Sequence, residues 1–199
     1  NPAYNQPTLV RLTGELNIAA LQKAHDAIVA RHEVLRTSFI AIHEQPAQVV
    51  HEPRAVELPL IDLSGRSAVE RETELQARLR EITRRGFDLA RDSMLRAALI
   101  RLDLHEHLLL LVTHHIATDN WSDRIFFREV AACYEAFVQH HSPVLAVLPI
   151  QYADFASWQR EQLRGESFEE ERAYWKKHLE ASVLLELPSD RPRPAIKTY

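Results

Sequence analysis

The sequence predicts an α/β sandwich in which a mixed β-sheet is flanked by helices. Three observations carry that prediction. Residues 94–103, "MLRAALIRLD", and 105–113, "HEHLLLLVT", are two nearly unbroken apolar runs of strand length around a short polar turn. Such runs belong in the middle of a sheet that is covered on both faces. Three longer stretches carry apolar residues at helical spacing behind capping residues, so helices are available to cover it. Finally, 46% of the 199 residues are hydrophobic, enough for the core of one domain or one lobe.

The elements follow in order. Residues 7–13, "PTLVRLT", read as a strand that Gly14 ends, and Asn17 can cap a helix running to about Leu35. Ile18, Leu21, Ala24 and Ile28 form one apolar face of that helix. "RTSFIAIHE" (36–44) is rich in β-branched and apolar residues, and Gln45-Pro46 is expected to turn it into the hairpin partner "AQVVHE". "VELPLIDL" (56–63) is extended, with Pro59 arguing for an edge or an irregular stretch. Ser67 and Glu70 have capping-box spacing and open a helix that Gly86 closes. After the two apolar strands, a helix is expected from about Ser122 to His140, with Ile125, Phe126, Val130, Cys133 and Phe137 inward. Two shorter helices fall near 152–164 and 167–180, the second with Ser167 and Glu170 at capping-box spacing. From Pro188 the tail reads as an extended linker, giving a lobe over 1–187 and a linker over 188–199. No internal repeat or low-complexity tract interrupts this order.

Composition excludes several classes. A formal net charge of −4 without a long run of one sign argues against nucleic-acid or membrane-surface partners. No apolar stretch approaches the roughly 20 residues of a membrane span. The single cysteine, Cys133, rules out an internal disulfide framework and sits on an apolar helical stripe, so a buried thiol is expected. A reducing cytoplasm is the expected location. A chain that opens on Asn1 and ends in "RPRPAIKTY" is expected to be part of a longer protein.

The stretch that could carry chemistry is "HHIATDNWS" (114–122), where a buried strand leaves the sheet and a helix begins. Ligands of open α/β sheets tend to bind at such strand ends. A metal site is disfavoured, because adjacent side chains on extended backbone point to opposite faces. His115 with Asp119 then supplies only two ligands, and no metal is expected. A nucleophilic serine is disfavoured too: Ser122 lacks the glycines of an exposed elbow and is better explained as a helix cap. Two readings stay open. Both histidines can simply finish a buried strand, or one can accept a proton near neutral pH. In the second reading Asp119 orients His115 or pairs with a basic residue. The backbone N–H groups of Asn120, Trp121 and Ser122 then open a helix where negative charge can be stabilised.

Three stretches together resemble the condensation domains of nonribosomal peptide synthetases. "RHEVLRTSF" (31–39) is similar to that family's Arg-His-Glu-x-Leu-Arg-Thr-x-Phe segment, and "HHIATDNWS" to its His-His-x-x-x-Asp-Gly motif. "YADFASWQ" (152–159) is similar to its Tyr-x-Asp-Phe-Ala-x-Trp segment. The resemblance covers the whole chain and corresponds to the N-terminal lobe of a two-lobed, chloramphenicol-acetyltransferase-like fold. The family's earliest motif would precede Asn1, and its second lobe would follow the linker. One departure is visible: Asn120 stands where the family usually has glycine, and asparagine is among the few other residues that tolerate a positive φ.

The resemblance implies an amide-forming acyl transfer between a donor acyl thioester and an acceptor aminoacyl thioester, both carried by peptidyl carrier domains. It implies that His115 is catalytic, that His114 is structural, and that Asp119 pairs with Arg31. Arg36, Asp154 and Trp158 are expected in core or lobe packing. Phosphopantetheine would belong to the carriers, so no cofactor is expected on this chain, and an adenylation domain is an expected neighbour. The alternatives are a coenzyme A-dependent acyltransferase of the same superfamily and a non-catalytic domain that only docks carriers. Alone, this chain is expected to be inactive.

Overall fold

The computed structural model describes residues 1–164, 166–183, 187, 188 and 190–192, and only the backbone of residues 166 and 167. The chain divides into two units, 1–149 and 150–199. In the first unit a four-stranded sheet is built from β1 (Asn5–Thr13), β4 (Leu60–Asp62), β5 (Leu95–Asp103) and β6 (Glu106–His114). Its order is β1-β6-β5-β4, antiparallel except for the β4–β5 pair, so the expected mixed sheet is present. The two apolar runs are its central strands. Leu99, Ile100, Leu110 and Val112 are all buried, as strands covered on both faces require.

Alternation along these strands separates two cores. Leu95, Ala97, Leu99, Leu109 and Leu111 face α1 (Ile18–Arg31) and α3 (Asn120–Val138), together with Cys133, the expected buried thiol. Ile100, Leu102 and Leu108 face the other way, against Leu75 and Leu79 of α2 (Ala68–Arg84). Asn17 caps α1, accepting from the Ala20 N–H, and Ser67 with Glu70 forms the capping box of α2. Inside the first core His25 is fully buried, its Nδ1 2.8 Å from the Leu21 carbonyl, and burial pushes its pKa down.

Some boundaries differ from expectation. α1 stops at Arg31 and a 3₁₀ turn over Glu33–Arg36 carries the chain into β2 (Thr37–Ile42). The β2–β3 turn lies at His43 and Glu44, both with positive φ, while Gln45 and Pro46 already belong to β3 (Gln45–Val50). In a two-stranded sheet each strand has an open edge, where a proline lacking its N–H is tolerated.

The second unit contains α4 (Tyr152–Gln162) and α5 (Glu166–Leu179). Asp154 lies outside the core: it accepts from the Gln151 N–H at 2.8 Å as the third residue of the α4 capping box. Trp158, also expected in packing, is 55% exposed with its ring against Phe155. Arg36 is a half-buried link, donating to the His51 carbonyl and pairing with Glu33. The Ser167 cap and most of the expected linker, residues 189 and 193–199, lie outside the described residues. Among the described residues no helix is long and apolar enough to cross a membrane.

Candidate active site

The β1–β6 ladder runs to its last pair, Asn5 with His114, and the His115 N–H extends it by donating to the Tyr4 carbonyl at 2.9 Å. His114 and His115 therefore take opposite faces, as successive strand residues must. The His114 side is buried, its ring 5.9 Å from Tyr4 and 5.7 Å edge-on to Phe87. Its Nδ1 accepts the Ile116 N–H at 3.0 Å, which makes it a fastener of the turn. Burial first, then the charges of His115 and the N-terminus, lowers its pKa, which favours the neutral ring.

His115 is exposed, and its Nδ1 lies 2.8 Å from the Thr118 carbonyl. A carbonyl can only accept, so Nδ1 carries a proton, and in the neutral ring Nε2 is the nitrogen left with a free lone pair. This is the tautomer a proton acceptor needs. The residue that orients His115 is thus Thr118 through its backbone, not Asp119. Composition gave no signal of this, because the carbonyl belongs to every residue type.

Asp119 is the N-cap of α3. Its Oδ1 accepts from the Ser122 N–H at 2.8 Å and from the Ser122 hydroxyl at 2.7 Å, while Ser122 Oγ accepts from the Asp119 N–H at 3.3 Å. Hydrogen bonds from Ser122 are the main reason its carboxyl is held below the usual carboxylate range. Ser122 is the reciprocal third residue of the box rather than the cap itself. Of the backbone N–H groups expected to stabilise negative charge at this helix end, that of Ser122 is already taken by the Asp119 carboxylate. Asn120 is the first helical residue and has no positive φ, so the family's glycine is not required here by backbone conformation. Trp121 is 75% exposed on the first turn.

The expected Arg31–Asp119 pair is not present among the ion pairs of the described residues. Arg31 Nε instead donates to Glu129 Oε2 at 3.0 Å, and its terminal nitrogen donates to the Ala146 carbonyl at 2.5 Å. His32 Nε2 meets the same Glu129 oxygen at 2.7 Å. The reason is geometric: Asp119 is consumed by its own helix, and Arg31, ending α1, faces α3 further along. Ten residues separate Asp119 from Glu129, about 15 Å at 1.5 Å per residue. Burial alone would raise the Glu129 carboxyl, but His32 and Arg31 outweigh it and hold its pKa low. A signal existed in the sequence, since Glu129 falls on the buried stripe with Phe126 and Cys133, and a charge there demands a partner. Among the described residues no group of three or more His, Cys, Asp or Glu side chains gathers to hold a metal.

Comparison with other proteins agrees with this architecture. The chain is 46% identical over 200 residues to one of the subunits that make up the linear gramicidin synthase of Brevibacillus parabrevis. It is 42% identical over 197 residues to chondramide synthase cmdD of Chondromyces crocatus. It spans all of itself but only 3% of the first relative, and 99% of itself but 5% of the second. Among solved structures, the X-domain from teicoplanin biosynthesis superposes with a TM-score of 0.86 at 36% identity, over 97% of this chain and 42% of that one. The starter condensation domain of rhizomide synthetase RzmA shares the fold at a TM-score of 0.81 and 19% identity, over 90% of this chain and 43% of that one. With the condensation-domain family model matching residues 1–199, the histidine loop and the sheet that ends in it belong to a member of the condensation-domain family.

Proposed function

We propose that this chain supplies one wall of a site for amide formation between two carrier-bound thioesters, with His115 as the residue nearest the chemistry. The observation that carries the reading is the fixed tautomer: Nδ1–H is held by the Thr118 carbonyl, and Nε2 is left open on an exposed ring. The amine of an acceptor aminoacyl thioester attacks the donor carbonyl, Nε2 takes the proton that the nitrogen sheds, and the C–S bond breaks to release the donor carrier's sulfur as a thiolate, which recovers that proton as the thiol. An α-amino group has a pKa of about 7.7–8.0, so a useful fraction is already neutral near pH 7.5. His115 therefore acts chiefly by orienting the amine and by accepting its proton late. Base catalysis contributes about 10²–10⁴-fold, and positioning supplies much of the rest. Asp119, Asn120, Trp121 and Ser122 shape the loop, His114 holds it from behind, and Arg31 supports it only indirectly by tying α1 to α3 through Glu129.

Both substrates arrive on phosphopantetheine arms of donor and acceptor carriers, so the arm is part of the substrate. An adenylation domain in the same synthetase would charge the acceptor. The second lobe of the domain forms the opposite wall. Within a synthetase of this kind, the site works in the cytoplasm. A second reading, a domain that only docks partners, draws on the 36% identity to the X-domain, a relative also solved in complex with OxyB. The open Nε2 favours catalysis over docking alone.

The test is product formation by the complete two-lobed domain, followed by mass spectrometry. Carrier-loaded donor and acceptor should give amide product, and the same acyl group on free coenzyme A should give little. The 199 residues alone should give none. Equal turnover of the free coenzyme A thioester would replace this reading with that of a coenzyme A-dependent acyltransferase. Carrier binding without any product would favour docking.

A further inference from the structure

The loop carrying His115 rests on a seat built from the two strands beneath it. Gln6 of β1 and Thr113 of β6 are direct cross-strand partners, and their side chains lie on one face. Thr118 Oγ1 meets both, at 2.7 Å from Thr113 Oγ1 and 3.1 Å from Gln6 Oε1. An amide oxygen can only accept, so Thr118 donates to Gln6 and accepts from Thr113. Thr113 is 8% exposed, which keeps water from competing for its hydroxyl. The Thr118 side chain is thus pinned to the sheet while its own carbonyl, one residue's breadth away, receives His115 Nδ1–H. Asp119 follows at once and caps α3, so the loop is fixed on both sides of that carbonyl.

We propose that Thr118 is a positioning residue for His115: its hydroxyl, seated on Gln6 and Thr113, aims the carbonyl that keeps the imidazole in the Nδ1–H tautomer. This rests on the reading of His115 as the proton acceptor, but its primary readout does not. Free histidine favours the opposite tautomer, with the proton on Nε2. Without the seat, the Thr118 carbonyl swings and the ring loses what holds its proton on Nδ1. The open lone pair then no longer points at the place where the amine is attacking.

The experiment is long-range ¹H–¹⁵N correlation on this chain labelled in its histidines, at about pH 8, where ordinary imidazoles are neutral. His115 is assigned by its loss in His115→Gln. The wild type should show a single Nδ1–H tautomer, Thr118→Val a mixture moved toward Nε2–H, and Thr118→Ser the wild-type pattern restored. A purely structural threonine would lower melting temperature in Thr118→Val without moving the tautomer, and that result overturns the proposal. Should Thr118→Val lose its helical circular dichroism, Gln6→Leu decides instead: a mixed tautomer supports the seat, an unchanged one overturns it. In the complete domain, Thr118→Val should lower kcat by up to about 10²-fold at nearly constant KM. An inactive wild-type domain would count against the functional reading, while the tautomer decides the positioning role by itself.

Discussion

Asp119 fixes its loop by capping the helix that follows, and this sets what its removal costs. Losing a helix cap typically costs about 1 kcal/mol, within a range of about 0.5–2. Stranding the partner of a buried ion pair would cost about 3–5 kcal/mol. Because Asp119 Oδ1 is engaged by Ser122 and not by Arg31, Asp119→Ala should destabilise by about 1 kcal/mol in urea titration, and Asp119→Asn should recover most of it. A loss of several kcal/mol would restore the ion-pair account. The sign of the pH dependence follows from the lowered carboxyl: the charged cap's contribution is present above the ordinary carboxylate range and is lost as pH falls through the folded value. At this scale the sequence was partly legible. Opposite burial of His114 and His115 follows from strand alternation alone. The cap at Asp119 was obscured because the resemblance already offered that carboxylate another partner.

Between elements, the joint that matters is α1 against α3. Arg31 and His32 close the end of α1 on one oxygen of Glu129, with Glu129 only 8% and Arg31 17% exposed at the side chain. Glu129→Gln removes the charge that Arg31 and the His32 ring both face. Breaking a buried pair costs about 3–5 kcal/mol, and the lower end is expected because Arg31 keeps the Ala146 carbonyl. Equilibrium denaturation of Glu129→Gln should therefore show a larger loss than Asp119→Ala, and the reverse order would refute this assignment of the buried pair. The partner of Arg31 was hidden because it lies 98 residues away in the chain, where no local pattern reaches. Local patterns did reach the caps of α1 and α2 and the two central strands. The β2–β3 turn was misread because His43-Glu44 carries none of the glycine, asparagine or aspartate that marks a two-residue hairpin turn, while Gln45-Pro46 looked like a turn.

On the scale of the whole molecule, the sheet explains why the proposed site sits at one end of β6. Strands buried on both faces can expose side chains only where they leave the sheet, and β6 leaves it at His114. The turn that follows presents one imidazole outward and locks the other inward. The place of the histidine loop at a strand end was readable from the apolar run that precedes it. The tautomer of His115 was not readable, because it depends on where a backbone carbonyl falls after the turn closes. In the proposed reaction His115 serves the amide-forming step through its open Nε2. The most direct measurement is single-turnover product formation by rapid quench in the complete domain, comparing wild type with His115→Ala, with circular dichroism verifying the fold. The rate of product formation should fall about 10²–10⁴-fold with carrier binding intact. A His115→Ala domain that forms product at close to the wild-type rate would contradict that role.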